Sequence, residues 1–248
     1  MPEERGLFSG YGSLPSNYVI KPAIENLDGT VENEAFCMAL ARDIGLEVPR
    51  TFIHQHGATR VLVIRRYDRA ATADGTKRLH QEDFCQALRI LPDYKYEAEG
   101  GPSLAACFEL VRNASIRSGK DALSLLNWVI FNYLIGNSDA HGKNISLVLL
   151  PEGPMLAPFY DLLSTRIYAH YGLAEGLAMK IGGESEPDAI RATPLGTVRG
   201  RGRHKAAAGV DPGRRTCPEN TGRKIAPLQR SLRPVQLRCP VSFDGIYQ

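Results

Sequence analysis

A carboxylate, an imidazole, an ammonium and an amide fall together in Asn137-Ser138-Asp139-Ala140-His141-Gly142-Lys143-Asn144. An apolar helical pattern runs into this stretch and stops at Gly136. An apolar strand pattern, Ile145 to Leu150, runs out of it, and a second short run, Met155 to Tyr160, delivers Asp161. Buried elements on either side can hold such groups still. The chemistry that suits the set is transfer of a phosphoryl group with a metal ion. Asp139 could take the proton of an attacking hydroxyl. Asn144 and Asp161 offer the oxygen donors that a hard cation such as Mg²⁺ requires. Lys143 could neutralise charge on the moving phosphate, and His141 could fix Asp139 or touch a phosphate. An Asp-x-His string after a helix also occurs as a plain polar loop with local hydrogen bonds. The full order of helix, loop, strand, turn, strand and Asp is what favours chemistry.

Asn144 follows Asp139 at the Asp-x-x-x-x-Asn spacing of the protein-kinase catalytic loop, and Asp161 stands where a kinase carries its metal-binding Asp. The upstream elements must then present a nucleotide to this loop. Tyr18 to Pro22 reads as a strand; on the kinase analogy its Lys21 contacts the α- and β-phosphates of ATP, and otherwise it is a solvated edge lysine. A helix is expected from Glu32 to Ile44, with Phe36, Leu40 and Ile44 on one face and Gly45 as its stop. Glu34 could pair with Lys21, or with Glu32 simply favour the helix dipole. Thr51 to Ile53 and Arg60 to Arg65 read as antiparallel strands joined by a His56-Gly57-Ala58 turn, with His54 and His56 as loop residues. The strand ends in Arg65-Arg66-Tyr67-Asp68-Arg69, a polar linker placed like a kinase hinge, and residues 70–78 read as a turn around Asp74-Gly75.

From His80 the pattern is helical. A helix opened by Glu82, Asp83 and Phe84 has Phe84, Leu88 and Leu91 on its apolar face. A second, Ser103 to Ser115, turns Leu104, Phe108 and Val111 inward. A third, capped by Asp121, carries Leu123, Leu126, Ile130 and Leu134 on one face, with Trp128 and Tyr133 as packing residues. The fold class is therefore α+β and bilobal, protein-kinase-like: residues 1–69 a partial β-rich lobe, residues 70–190 a partial helical lobe with the catalytic loop. Gly10-Tyr11-Gly12-Ser13, in an irregular lead-in, reads as a plain loop or a weak phosphate-cradling turn.

Charge divides the chain. Residues 191–248 hold 12 Lys and Arg against 3 Asp and Glu, a net +9 that leaves −6 for residues 1–190. A basic surface along the whole chain, as for general nucleic-acid binding, is thus excluded. The final segment, with ten Arg, six Pro and seven Gly, lacks the period needed to build a core. It reads as a disordered tail able to meet nucleic acid or an anionic surface, or as the product of a reading-frame change. Among the five cysteines there is no C-x-x-C pair; Cys37, Cys85 and Cys107 read as reduced packing residues. No apolar run is long enough to span a membrane, and the N-terminus lacks the pattern of a signal peptide, so a cytoplasmic protein is expected.

Six blocks in order resemble the HipA family of bacterial serine/threonine kinases, the toxins of HipA–HipB modules. They are Leu-Pro-Ser-Asn-Tyr-Val-Ile-Lys-Pro (14–22), Glu-Asn-Glu-Ala-Phe-Cys (32–37), His-Gln-Glu-Asp-Phe-Cys-Gln-Ala-Leu (80–88), Lys-Tyr-Glu (95–97) with Gly-Gly-Pro (100–102), Gly-Asn-Ser-Asp-Ala-His-Gly-Lys-Asn (136–144) and Pro-Phe-Tyr-Asp-Leu-Leu-Ser (158–164). The resemblance implies ATP with Mg²⁺ and phosphorylation of a protein Ser or Thr. It implies Asp139 as catalytic base, Lys21 on the ATP phosphates, Asn144 and Asp161 on the metal, and His141, Lys143 and Tyr160 around the nucleotide. Hinge contacts fall near Arg65 and Tyr67. It implies a HipB-like DNA-binding antitoxin as partner, DNA reached only through it, and an aminoacyl-tRNA synthetase as substrate class. Set against the family, the chain is expected to be a form truncated at both ends, without the N-terminal subdomain and phosphate loop and with the Arg/Pro/Gly tail in place of the C-terminal helices, a loss that could leave it inactive. Two alternatives stay open: a non-catalytic remnant that binds an antitoxin-like partner or nucleic acid, and a metal-dependent phosphohydrolase using Asp139, His141 and Asp161.

Overall fold

Continuous runs of β-branched and other apolar residues in Tyr18–Pro22 and in Thr59–Arg65 favour strands, and the first of them carries Lys21. The computed structural model describes residues 15–191 apart from 74 and 174. The Gly10–Ser13 turn and the segment from 192 onward lie outside the described residues. In order the elements are β1 (Tyr18–Pro22), α1 (Thr30–Asp43), β2 (Thr51–His56), β3 (Thr59–Arg65), β4 (Arg69–Thr72), β5 (Gly75–Arg78), β6 (His80–Asp83), α2 (Phe84–Ala87), α3 (Leu104–Ala114), α4 (Ser118–Ile135), β7 (Ser146–Leu150) and β8 (Gly153–Leu156). All lie in one unit, Met1–Pro194.

The first sheet is antiparallel in the order β1-β3-β2, with Lys21 opposite Leu62. The β2–β3 hairpin turns at Gly57-Ala58 as expected, but β2 runs on to His56, so His54 and His56 belong to a strand rather than a loop. The expected turn over 70–78 is a two-stranded hairpin, β4–β5. A third sheet, β6-β7-β8, flanks the loop over residues 137–144, so residues 80–83 are strand where helical periodicity was read. Backbone pairing of β6 with β7 overrides the local helical preference there. Helix starts only at Phe84, where Asp83 caps it through a reciprocal pair with Gln86, and ends before Leu88; Leu91 is exposed.

One core joins the small sheet's helix to the helical part. Cys37, Met38 and Ala41 of α1 meet Phe84, Cys107, Val111, Leu125, Trp128, Phe131, Ile145, Leu147, Phe159 and Leu162. Ser103 caps α3 through the Ala106 N–H, and Val111 is fully buried. Asp121 does not cap α4. It sits in the first turn, fully buried, where it accepts the Ser115 hydroxyl (2.6 Å) and the Leu156 N–H (2.8 Å) and pairs with Arg117 (3.1 Å), pinning α4 to β8.

Two helical faces differ from expectation. On α1 the stripe Phe36, Leu40 and Ile44 is exposed, at 64%, 36% and 61%. Residues two apart on a helix lie about 200° apart, so turning Glu34 inward sends Phe36 out. On α4 Leu123, Leu126, Ile130 and Leu134 do share a face, but it is the exposed one; Leu125, Trp128 and Phe131 make the buried face. Such a helix is apolar nearly all round, and periodicity cannot choose between its two stripes. Among the described residues no helix is long and apolar enough to cross a membrane. Cys37, Cys85 and Cys107 are buried free thiols.

Candidate active site

Two groups far apart in the chain, Lys21 and Asn144, converge on the Asp161 carboxylate, and α1 braces the first of them through Glu34. β1 brings Lys21, whose ammonium donates to Asp161 Oδ1 at 2.5 Å and to both oxygens of Glu34 at 2.7 and 2.9 Å. Burial would lower the Lys21 pKa, but the two carboxylates outweigh it and hold the ammonium above its ordinary value. Glu34, buried on α1, is pushed up by desolvation although Lys21 opposes this. The expected Lys21–Glu34 pair is therefore present and extends to Asp161. Asp161 has a left-handed backbone (φ 62°). That conformation costs a non-glycine residue on the order of 1–3 kcal/mol and clusters at functional sites. Here it is held from both sides, since the other carboxylate oxygen accepts from Asn144 Nδ2 at 2.6 Å.

Asn144 is oriented by its own loop. Its Oδ1 accepts the His141 N–H (3.1 Å), and its backbone N–H returns to the His141 carbonyl (3.0 Å). That backbone donor fixes which way the amide faces. Oδ1 retains a second lone pair. With Asp161 it would offer hard oxygen donors of the kind Mg²⁺ requires. Among the described residues no three His, Cys, Asp or Glu side chains gather as a metal cage of their own.

Asp139 sits on a chain of amides rooted in α4. Gly136 ends the helix with φ 67°, and a Cβ there would press Arg166 Cβ at 2.9 Å, so only glycine fits. The Asn132 side chain bonds the Trp128 carbonyl, Asn137 Nδ2 donates to Asn132 Oδ1 (2.7 Å), and Asn137 Oδ1 accepts the Asp139 N–H (3.1 Å). The Asp139 carboxylate, two-fifths exposed, accepts the Tyr96 hydroxyl at 2.5 Å and lies 3.8 Å from His141 Nε2. Burial pushes the His141 pKa down against the pull of Asp139, which keeps the imidazole neutral. Its Nδ1 is buried and without a hydrogen-bond partner among the described residues. A Cβ on Gly142 would overlap the Pro102 ring, so the Gly-Gly-Pro block packs directly against this loop.

The remaining expected residues divide. Tyr160 donates to the Lys143 carbonyl (2.8 Å), meets Ser146 Oγ (2.8 Å) and stacks on Tyr67, centroids 6.0 Å apart. Burial pushes the Tyr67 phenol up to about 12, and its hydroxyl donates to Gln81. Lys143 donates to Asp83 Oδ2 at 3.2 Å. Arg65, at the exposed end of β3, is not brought to these groups by any side-chain contact among the described residues. Two cavities, of about 230 and 250 Å³, lie behind the loop against Tyr133, Leu134, Gly136 and Arg166; neither is lined by Lys21, Asp139, Asn144 or Asp161.

Several positions escaped sequence reasoning. Asn33 donates to the Ser164 carbonyl (2.8 Å) and accepts the Ser164 N–H (3.0 Å), clamping α1 to the segment after Asp161. Asp83, Tyr96, Asn132 and Asn137 likewise hold the site. Asn33, Asp83 and Tyr96 fall inside the blocks that carried the family resemblance, which is the signal that could have found them.

Comparison with known proteins places the chain in a family. The family described as the HipA-like C-terminal domain matches residues 6–215. The Sinorhizobium fredii protein Y4mE is 49% identical over 71% of this chain and 43% of its own length. The serine/threonine-protein kinase toxin HipA of Shewanella oneidensis is 34% identical over 74% of this chain and 44% of its own. The solved structure of Shewanella oneidensis HipA with HipB and its operator DNA superposes with a TM-score of 0.66 at 32% identity, covering 72% of this chain and 44% of that one. The chain thus spans less than half the length of these relatives. With a kinase-like α+β fold and the matched residues reaching from the lead-in past the last described element, this chain belongs to the HipA-like C-terminal domain family.

Proposed function

We propose that this chain is a HipA-like serine/threonine protein kinase core, the toxin side of a toxin–antitoxin module, which moves the ATP γ-phosphate to a protein hydroxyl. Residues 1–69 serve as the small lobe and residues 70–190 as the helical lobe. The observation that supports this most is that Lys21, itself held by Glu34, and Asn144 both donate to Asp161, beside a loop that carries Asp139. In this reading Lys21, tethered by Glu34, holds the phosphates that are not transferred. Asp161 and Asn144 hold Mg²⁺, which when bound screens the phosphate charge. Asp139 orients the acceptor hydroxyl and receives its proton as the acceptor oxygen bonds to phosphorus and ADP leaves with the electron pair of the broken bond. Positioning and electrostatic stabilisation supply the rate. Tyr67 and Tyr160 form a wall for the nucleotide, with the linker at Arg65 to Arg69 as hinge. The Shewanella oneidensis neighbour is bound to HipB and operator DNA; by that likeness the partner is a HipB-like antitoxin, with DNA reached through it. The substrate class that the family resemblance implies is an aminoacyl-tRNA synthetase.

A second reading, a non-catalytic module that binds its partner through apolar surface, is favoured by the exposed stripes Phe36, Leu40, Ile44 and Leu123, Leu126, Ile130, Leu134. The phosphohydrolase reading gains no support, since no third carboxylate or imidazole ligand joins Asp161 among the described residues. Thermal melts with ATP and Mg²⁺ separate the first two. A ligand at 100 times its Kd adds about 2.7 kcal/mol to native stability. The kinase reading expects this gain in the wild type and in Asp139→Asn, with phosphate transfer lost only in the variant. No gain in the wild type, or equal turnover in Asp139→Asn, overturns it.

A further inference from the structure

We propose that Tyr96 is the positioning residue of the base: its phenol holds one oxygen of Asp139 and leaves the other for the acceptor hydroxyl. This rests on the kinase reading above. The Tyr96 hydroxyl donates to Asp139 Oδ1 at 2.5 Å. Among the described residues no other side chain donates to that carboxylate; His141 Nε2, at 3.8 Å, is beyond hydrogen-bond range. The terminal torsion of an aspartate is broad and weakly restrained. A carboxylate that is 42% exposed therefore swings unless something holds it. Catalysis by proximity depends on that restraint.

The opposite reading makes the phenol a plug in the acceptor's place that has to leave. Its surroundings oppose this. The Tyr96 carbonyl accepts the N–H groups of Glu99 (3.0 Å) and Gly101 (2.8 Å). The next residue, Glu97, donates to the Ala178 carbonyl (2.9 Å), and its carboxylate accepts the Lys180 N–H (2.7 Å). The ring meets the buried His141 edge-on at 5.5 Å, and the Lys95 ammonium stands 4.9 Å from its centroid. A Cβ on Gly101 would strike the Lys95 and Tyr96 backbone at 2.7 Å, so the turn that carries Tyr96 is closely packed. A phenol fixed in this way is a permanent partner of one oxygen, and not a gate over both. Burial, then Asp139 itself, pushes its ionisation upward, so it remains a donor.

The test uses the full chain, myelin basic protein as acceptor, and Tyr96→Phe, which keeps the ring and removes only the donor. A hydrogen bond to a charged group supports an expected fall in kcat of about 10- to 100-fold, with the Kd for ATP·Mg²⁺ and the Tm unchanged. Replacing Tyr96 by 4-aminophenylalanine, which restores an N–H donor, recovers most of the loss. In an Asp139→Asn background Tyr96→Phe adds nothing further. A readout independent of turnover is the Tyr96 hydroxyl proton, observed by NMR at pH 7: its bond to Asp139 slows exchange with water, and Asp139→Ala speeds that exchange and leaves the other tyrosines in place. An unchanged kcat in Tyr96→Phe, a fall in ATP affinity equal to the fall in kcat, or a Tyr96 hydroxyl exchange blind to Asp139→Ala overturns the proposal. If the wild type transfers no phosphate, the kinase reading of this chain fails by itself, and the hydroxyl exchange still decides whether Tyr96 holds Asp139.

Discussion

Lys21→Met removes the one cation that sits between two carboxylates. Glu34 is 8% exposed and Asp161 33%, and Lys21 lies 2.7 Å from the first and 2.5 Å from the second. Removing one partner of a fully buried pair costs about 3–5 kcal/mol, whereas exposed pairs carry about 0.2–1 kcal/mol. Lys21 is 36% exposed, so solvent screening places the expected loss between these, at about 1–2 kcal/mol. For a unit of this size that lowers Tm by about 2–8 °C. The loss depends on pH with a definite sign. Burial raises the folded pKa of Glu34 above its ordinary 4.5, against Lys21. The native state then binds more protons than the unfolded chain, so this group's contribution is fully present below about 4.5 and is lost as pH rises through the folded value. Without Lys21 the folded value climbs further. The gap between Lys21→Met and wild type should therefore be widest at pH 7.5 and narrow toward pH 5. Adding Glu34→Gln to Lys21→Met removes the stranded charge and should restore at least half of the lost stability. Circular-dichroism melts at the two pH values measure all of this. Equal Tm values at pH 7.5, a gap that ignores pH, or no recovery in the double variant would refute the reasoning.

Two other outcomes follow from the packing. Asn33→Ala strands the Ser164 N–H and C=O, which should cost about 1–3 kcal/mol in urea melts and loosen the segment after Asp161, seen as faster amide exchange there; unchanged exchange at Ser164 would count against the clamp. Leu125→Ala, on the buried face of α4, should cost about 2–5 kcal/mol, while Leu126→Ala, one residue on and 44% exposed, should stay within about 0.5 kcal/mol of wild type; equal losses would mean that both faces are packed.

The contact of Asn144 with Asp161 was legible because it depends on residue type and short spacing. Asn144 ends the loop that holds Asp139, and Asp161 follows a hairpin of fixed length, so local connectivity brings that amide and that carboxylate together. The Lys21–Glu34 pair was readable through the kinase analogy, in which a strand lysine pairs with a glutamate of the helix that follows. The β6 strand was not readable, because His80 to Asp83 become a strand only by pairing with β7, more than sixty residues later. The contacts of Tyr96 and Asn33 were not readable from local pattern because their partners, Asp139 and Ser164, are 43 and 131 positions away; only their place inside the family-resemblance blocks pointed to them.

By itself, then, the amino-acid order determined the inventory: which strand holds Lys21, which loop holds Asp139 and Asn144, where helices begin at Ser103 and stop at Gly136. These depend on propensity, capping and chain reversal, all of which act over a few residues. The tertiary structure alone decided orientation. It turned Glu34 rather than Phe36 inward, chose Leu125 and Trp128 over Leu126 and Ile130, and set the Asn144 amide against Asp161. A helix with apolar residues on two faces has no internal reason to prefer one, and only the neighbour that covers a face makes that choice.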